Sequence, residues 1–485
     1  MQRVFAMAHV MGGMLMVLAL TYVLPIGWSL AVADGTADSF IESGMGTIAC
    51  GFALWLPTRG HRRELQARDG CLLVVLSWVL MAAAATIPLR LEIETLSFTD
   101  AFFETMSALT TTGATVLTGL DDLPPSLNIW RHALSWYGGM GIIVLAVAIL
   151  PLLGVGGMQL FKAETPGPMK ETKLTPRITQ TAKYLWLVYA GMTAACIGSL
   201  RLAGMSWHDS VCHAFSTMSL GGFSTRDASI MGFDSLAIEA VLTVFMLLAV
   251  LNFTTHFLAL RERSLSAYAR DPEARWVWFT ILGSAVVLAV FLTWRGQYGD
   301  LWIALRYTVF NTVSIATSTG FMSTDYDQWP IFASMWMLLL CVIASSSGST
   351  GGGIKMVRTL ILVRQAGREL LRMSHPRAIR PLLLGGQIVA PTVILAVLGY
   401  MLLYGVTLVG LSFVLMATGL DFLEALTGVI ACLNNTGPGL GKLGPTQNYQ
   451  GLTDFQTWVL SFAMLAGRLE LLTVFALLTP AFWRR

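Results

Sequence analysis

Charge is what this sequence has least of. Of its 485 residues only 12% are Asp, Glu, Lys or Arg, against 55% hydrophobic, and the mean hydropathy is +0.66. Soluble domains carry about twice that charged share. A soluble multidomain protein is therefore excluded, and with it a disordered chain and a nucleic-acid binder. Redox and metal-ligand spacings are missing too. The six Cys (Cys50, Cys71, Cys196, Cys212, Cys341 and Cys432) form no C-x-x-C pair and fall mostly inside apolar stretches. They read as small buried hydrophobes, not as a secreted disulfide framework. Of seven His, only His208 and His213 lie close together, at a spacing that suits no helical metal site. No cluster of His, carboxylate and nucleophile gathers at one interface, so an enzyme is not expected.

What is there is apolar length. Roughly 20 apolar residues cross a bilayer. Runs of about that length occur near 4–29, 38–57, 70–90, 130–154, 182–204, 234–260, 275–294, 330–343 (continuing, after an interruption, to about 372), 385–416 and 455–480. No small-residue cleavage site follows the first, so it reads as a span and not as a removed signal. If the runs alternate across the membrane, 23 of the 31 Lys and Arg fall on one side. That side is the cytoplasm, which places both termini inside. The opposite face collects acids, among them Asp34, Glu104, Asp121, Asp209, Asp227 and Asp327. A negative outer mouth steers cations inward, although positive-inside sorting alone also yields one.

Between the spans a unit recurs four times: span, short half-polar helix, Ser/Thr/Gly-rich stretch, span. The stretches are Thr110-Thr111-Thr112-Gly113, Ser219-Leu220-Gly221-Gly222, Thr317-Ser318-Thr319-Gly320 and Asn434-Asn435-Thr436-Gly437. The glycines at 113, 222, 320 and 437 are separated by 109, 98 and 117 residues. Six residues before each stands Ser107, Ser216, Ser314 or Ala431, always small. Thirteen before stands Asp100, Asp209, Tyr307 or Glu424, where a helix can begin. Order and register agree in all four copies, the signature of an internal repeat. Polar non-helical backbone at membrane depth is tolerated only when buried in protein or lining a watery path. Four such strands around one axis present rings of carbonyls that can replace a cation's hydration shell. Glycine supplies the backbone freedom that aims them. Each short helix points its negative end toward the central cavity, which favours a cation there.

Helix, pore helix, filter glycine and helix, four times in one chain, resembles the TrkH/Ktr/HKT superfamily of potassium transporters. The extra N-terminal pair and the block Met464-Leu465-Ala466-Gly467-Arg468-Leu469-Glu470 are similar to its bacterial TrkH branch. The resemblance implies an all-α polytopic inner-membrane protein. Its units would be two additional helices over 1–57, then repeats over 58–154, 155–260, 261–381 and 382–485 in pseudo-fourfold array. It implies potassium as the transported ion, with backbone carbonyls of the four stretches as its ligands. Glycine at all four filter positions resembles the potassium-selective members, not the sodium-selective plant relatives. Channel and cation-coupled symport both stay open. The implied partners are a cytosolic TrkA-type ring that binds nucleotide, a second copy of the chain, and membrane lipids.

Two anomalies remain. Ala344-Ser345-Ser346-Ser347-Gly348-Ser349-Thr350-Gly351-Gly352-Gly353 holds no large apolar side chain and cannot be an ordinary lipid-facing helix. Hinge, packing surface and obstruction below the filter are all open to it. It fails the phosphate-loop register, since Gly353 is followed by Ile354 and Lys355 by Met356. Arg468, within the last span, costs roughly 2.5–3.5 kcal/mol at a helix centre. It must face the interior or an aqueous cavity, paired with Glu470 or with the polar loop's carbonyls. A structural ion pair and a charge metering cation flow are its two readings. The family resemblance implies an intramembrane gate made of this loop and Arg468. The basic segments 155–183 and 354–381 suit anionic headgroups or a docked regulator.

Overall fold

A computed structural model describes residues 2–60, 67–144, 178–377 and 380–484, and they are helical almost throughout. The basic residues Arg62, Arg63, Lys162, Lys170, Lys173, Arg177 and Arg485 lie outside the described residues, as does the end of the span expected at 130–154.

Helix α1 (Gln2–Thr21) runs on into α2 (Val23–Val32) and turns back into α3 (Ala37–Thr58). Glycines let α1 and α3 meet backbone to backbone. A Cβ on Gly12 would sit 2.6 Å from the Gly51 carbonyl oxygen, and one on Gly51 would sit 2.9 Å from that of Gly12. Small residues at such crossings supply the close packing that holds helices together where lipid removes the hydrophobic drive. The α2–α3 turn is tied to the next unit through Asp34, whose carboxylate accepts the Ser126 N–H at 2.9 Å.

After this pair the order long helix, short helix, extended stretch, helix recurs four times. The first unit has α4 (Ala67–Glu92), α5 (Phe98–Leu109) and α6 (Pro125–Val144). The second has α7 (Ile178–Leu202), α8 (Trp207–Ser219), α9 (Leu236–Ala249) and α10 (Phe253–Glu262). The third has α11 (Ala274–Trp294), α12 (Leu301–Ala316), α13 (Ile331–Ile343) and α14 (Met356–Ser374). The fourth has α15 (Pro391–Ala417), α16 (Phe422–Leu433), α17 (Asp454–Arg468) and α18 (Leu471–Leu478). The long helices carry exposed Leu187, Val286, Val287, Leu402 and Phe413, as lipid-facing surfaces should. The short helices α5, α8, α12 and α16 are buried over most of their C-terminal halves.

Local chemistry starts the short helices. Ser97 and Ser206 cap α5 and α8 by accepting the N–H of Asp100 and Asp209 at 3.0 Å. Those acids and Glu424 stand in the first turn, where the helix dipole favours negative charge. The third helix departs from the aligned start at Tyr307. Asp300 caps it by accepting the Trp302 N–H at 3.0 Å, so it begins at Leu301 and is longer than the others.

Two of the expected spans are broken. The run at 234–260 divides into α9 and α10, which meet at 94°, because the Asn252 side chain accepts the Thr254 N–H at 2.8 Å and starts a new helix. The run at 455–480 divides into α17 and α18 at 116°, with Glu470 at φ 63° in the left-handed region. Arg468 is thus the last residue of a helix and not the middle of one.

Gly12→Val should force α1 and α3 apart at about 1–3 kcal/mol, the usual cost of overpacking. Gly13→Ala, which meets open space, should cost nothing comparable. Thermal unfolding of the two variants in detergent micelles checks this.

Candidate ion filter and the loop beneath it

The four polar stretches end their helices identically. The N–H of Thr112, Gly221, Thr319 and Thr436 reaches back to the carbonyl of Ser107, Ser216, Ser314 and Ala431, each at 2.8 Å. The residue before, Thr111, Leu220, Ser318 or Asn435, lies in the left-handed region at φ 54°, 54°, 60° and 53° and bonds three residues back. This is the paired ending in which a left-handed residue stops a helix. Glycine or Asn usually fills that place; Thr, Leu and Ser there cost roughly 1–2 kcal/mol each. Strain repeated in one register at one place marks a functional constraint.

Two residues on, Gly113, Gly222, Gly320 and Gly437 have φ of 81°, 68°, 92° and 94°. Their surroundings close a ring. A Cβ on Gly113 would lie 2.3 Å from the Gly221 carbonyl oxygen, one on Gly222 2.0 Å from that of Thr319, one on Gly320 2.2 Å from that of Thr436, and one on Gly437 2.7 Å from that of Thr112. Each strand's glycine therefore admits the carbonyl that precedes the next strand's glycine, around all four units. Thr110, Ser219, Thr317 and Asn434 sit one turn below, fully buried. The Thr110 and Thr112 hydroxyls meet at 2.8 Å, as do those of Thr317 and Thr319 at 2.7 Å, while Asn435 Nδ2 donates to Thr112 Oγ1 at 3.0 Å. Such a ring can stand in for the water around a monovalent cation.

The Gly/Ser stretch passes directly under this ring. Gly352 donates its N–H to Ser318 Oγ at 2.8 Å, and a Cβ there would meet the Asn434 carbonyl at 1.9 Å. Thr350 Oγ1 donates to the Met218 carbonyl at 3.1 Å, and Gly351 lies against the Thr317 carbonyl. Below, Ser345 Oγ donates to the Gly352 carbonyl, Ser349 Oγ to that of Ser346, and Gly353 turns at φ 81°. The two arms are joined by Ile354 N–H to Val342 (2.8 Å) and Met356 N–H to Ser345 (2.7 Å). Ser346 N–H bonds Val250, and the Gly348 carbonyl accepts the Phe253 N–H, so the outer side of the loop rests on the α9–α10 break.

Arg468 completes the floor. It is 3% exposed, and its guanidinium donates to the carbonyls of Thr350 at 2.7 Å and Gly138 at 3.3 Å. The Glu470 pairing open to it is not formed; Glu470 takes Arg358 at 2.6 Å, across a 4.0 Å stack of Arg358 on Tyr400. Among the described residues no carboxylate lies within ion-pair distance of Arg468, so the loop carbonyls face an unneutralised cation.

From residue 37 to residue 484 the sequence matches the family model TrkH, a cation transport protein. The chain belongs to the TrkH family. It is similar to the Trk system potassium uptake protein TrkH of Vibrio parahaemolyticus, 44% identical over 479 residues and 98% of each chain. The proteins of that name from Halomonas elongata (45% over 482 residues, 98% of each chain) and Escherichia coli K12 (41% over 481 residues, 99% of each chain) are also similar. Its fold matches the crystal structure of the potassium transporter TrkH from V. parahaemolyticus with a TM-score of 0.90 at 41% identity, over 99% of each chain. The chain is thus a polytopic membrane protein of a transport family and not an enzyme.

Against this TrkH frame several side chains acquire places that their sequence context did not suggest. Glu104, grouped above with the acids of the outer mouth, is buried beside the filter and paired with Arg131 at 2.7 Å. Glu273, one residue before α11, is buried. Its Oε2 accepts the N–H of Ser347 at 2.9 Å and of Val357 at 3.1 Å, one on each arm of the loop. An acid at a helix end among Arg261, Arg263, Arg270 and Arg275 was the only signal the sequence carried. Replacing Glu273 with Ala leaves two buried N–H groups without their acceptor, at about 1–3 kcal/mol per group. Amide hydrogen exchange over residues 344–357 should then quicken by at least about tenfold in the folded variant.

Proposed function

We propose that this chain takes potassium up across the bacterial inner membrane, with K⁺ dehydrated by the carbonyl ring at Gly113, Gly222, Gly320 and Gly437. The observation that carries the proposal is the closed circuit of glycine-to-carbonyl approaches, because a carrier or scaffold has no need of four strands in one register. The relatives named as potassium uptake proteins supply the ion. The partition of Lys and Arg supports a reading with both termini in the cytoplasm and the filter toward the outside. A coupled secondary transporter is the less favoured reading, since four units about one axis do not form the paired halves that alternating access uses.

The loop 344–353 and Arg468 form the gate in this reading. The loop fills the space under the ring, and Arg468 adds a positive charge that, among the described residues, is held by carbonyls. At an effective dielectric near 20, a charge roughly 6 Å from the ion path opposes a cation by about 3 kcal/mol. Helix α14, which leaves the loop with Arg364 and Arg372 exposed, transmits force from below. A cytosolic TrkA-type ring that binds nucleotide supplies that force, and the protein works as a homodimer among anionic lipids.

Flux in liposomes of purified protein, compared for K⁺, Rb⁺, Na⁺ and Li⁺ with the proton gradient removed, tests the reading. Gly320→Ala places a methyl against the Thr436 carbonyl and should raise Na⁺ permeation relative to K⁺ about tenfold. An unchanged ratio in folded protein removes the glycines from the filter. Arg468→Ala should raise K⁺ flux per folded molecule, by up to on the order of a hundredfold. A fall instead assigns Arg468 to structure.

A further inference from the structure

Nine residues before the filter glycine, three of the four short helices carry a buried polar side chain that reaches the strand leaving the filter. In the first unit it is Glu104, which accepts the Thr115 hydroxyl at 3.0 Å and the Val116 N–H at 3.0 Å. In the second it is His213, whose Nε2 meets Ser224 Oγ at 2.9 Å. In the third it is Asn311, which donates to Ser323 Oγ at 3.0 Å and accepts the Ser323 N–H at 3.2 Å. The fourth unit has Gly428 in that register. Its strand is held otherwise: Thr427 Oγ1 accepts the Leu440 N–H at 3.0 Å, and Tyr449 donates its hydroxyl to the Gly437 carbonyl at 2.7 Å.

One place in the repeat is thus filled by three different polar side chains serving one connection, which the fourth unit makes from Thr427 and Tyr449 instead. Each pair is buried, where an unpaired polar group is costly and a satisfied one is rigid. The helix end is fixed by its own hydrogen bonds, so a side chain spanning from helix to strand sets how far the strand stands from the helix. That distance sets the width of the ring. The tethers are also linked to one another, since Arg131, which neutralises Glu104, lies 4.5 Å over the ring of Phe223 in the second strand. Tyr449 donates its N–H to the Thr115 carbonyl at 2.9 Å and joins the fourth strand to the first.

We propose that Glu104, His213, Asn311 and Tyr449 are specificity-determining positioning residues, which hold the carbonyl ring open to the width of a large monovalent cation and keep it from closing on a smaller one. The proposal rests on the filter reading above. The neutral tethers test it best, because removing Glu104 strands the buried Arg131.

The test uses purified full-length protein in liposomes, with the K⁺ and Na⁺ permeability ratio measured separately from total flux. Asn311→Ala and His213→Ala should each raise Na⁺ relative to K⁺ severalfold to about tenfold, the scale of one net hydrogen bond. His213→Gln, which keeps a polar group at that position, should restore most of the preference. If either alanine variant fails to fold, Ser323→Ala and Ser224→Ala remove the hydroxyl bonds from the strand side, with the Ser323 N–H bond to Asn311 left in place. Gly320→Ala is measured alongside. Should it shift the ratio while the folded tether variants do not, the tethers are structural only and the proposal is overturned, with the filter intact. Should neither shift it, the filter reading falls and takes the proposal with it.

Discussion

Four carbonyl oxygens occupy the space where four glycines would otherwise carry a Cβ, and the rest of the molecule is arranged to make that possible. Each approach is shorter than any side chain permits, between 2.0 and 2.7 Å from the ideal Cβ position. The strands can come so close only if each helix stops at the same residue, which is why non-glycine residues accept the left-handed conformation at 111, 220, 318 and 435. They can stay there only if the helices beneath them are rigid and surrounded by protein. Long apolar helices on the outside provide that surround and present their own apolar faces to lipid.

The same low-dielectric interior makes the few charges decisive. Arg358 and Glu470 satisfy one another, and Glu104 satisfies Arg131. Arg468 is left to carbonyl oxygens of the loop and of α6. Partial charges orient a guanidinium without cancelling it, so its field extends to whatever cation stands above. The loop that accepts its hydrogen bonds is built from residues with little side chain to pack. It is held by backbone bonds at its base and by the Glu273 carboxylate on both arms. Few apolar contacts and many replaceable hydrogen bonds describe a segment able to change arrangement at low cost.

Much of the fold was legible because its repeat rests on residue types with narrow physical uses. A glycine preceded at fixed distances by small residues aligned all four strands, and apolar length located the spans. The breaks after Val250 and Arg468 escaped because their neighbours are as apolar as any helix and the bends depend on one Asn cap and one left-handed Glu. Tyr307 misled as a helix start because its unit carries its cap, Asp300, seven residues earlier. Glu104 and Glu273 were invisible as partners. Acids near a membrane edge are ordinary by composition, and only the fold brings Arg131 to one and the two loop amides to the other.

Central to the proposal is that the ring of carbonyls from Thr112, Gly221, Thr319 and Thr436 binds a dehydrated cation. The direct measurement is anomalous diffraction from crystals of the protein grown in Rb⁺ or Tl⁺. The account predicts anomalous density on the pseudo-fourfold axis at the level of those four oxygens, lost on exchange into Li⁺. Density confined to sites away from that axis, or none at the ring in a fully occupied crystal, would contradict it.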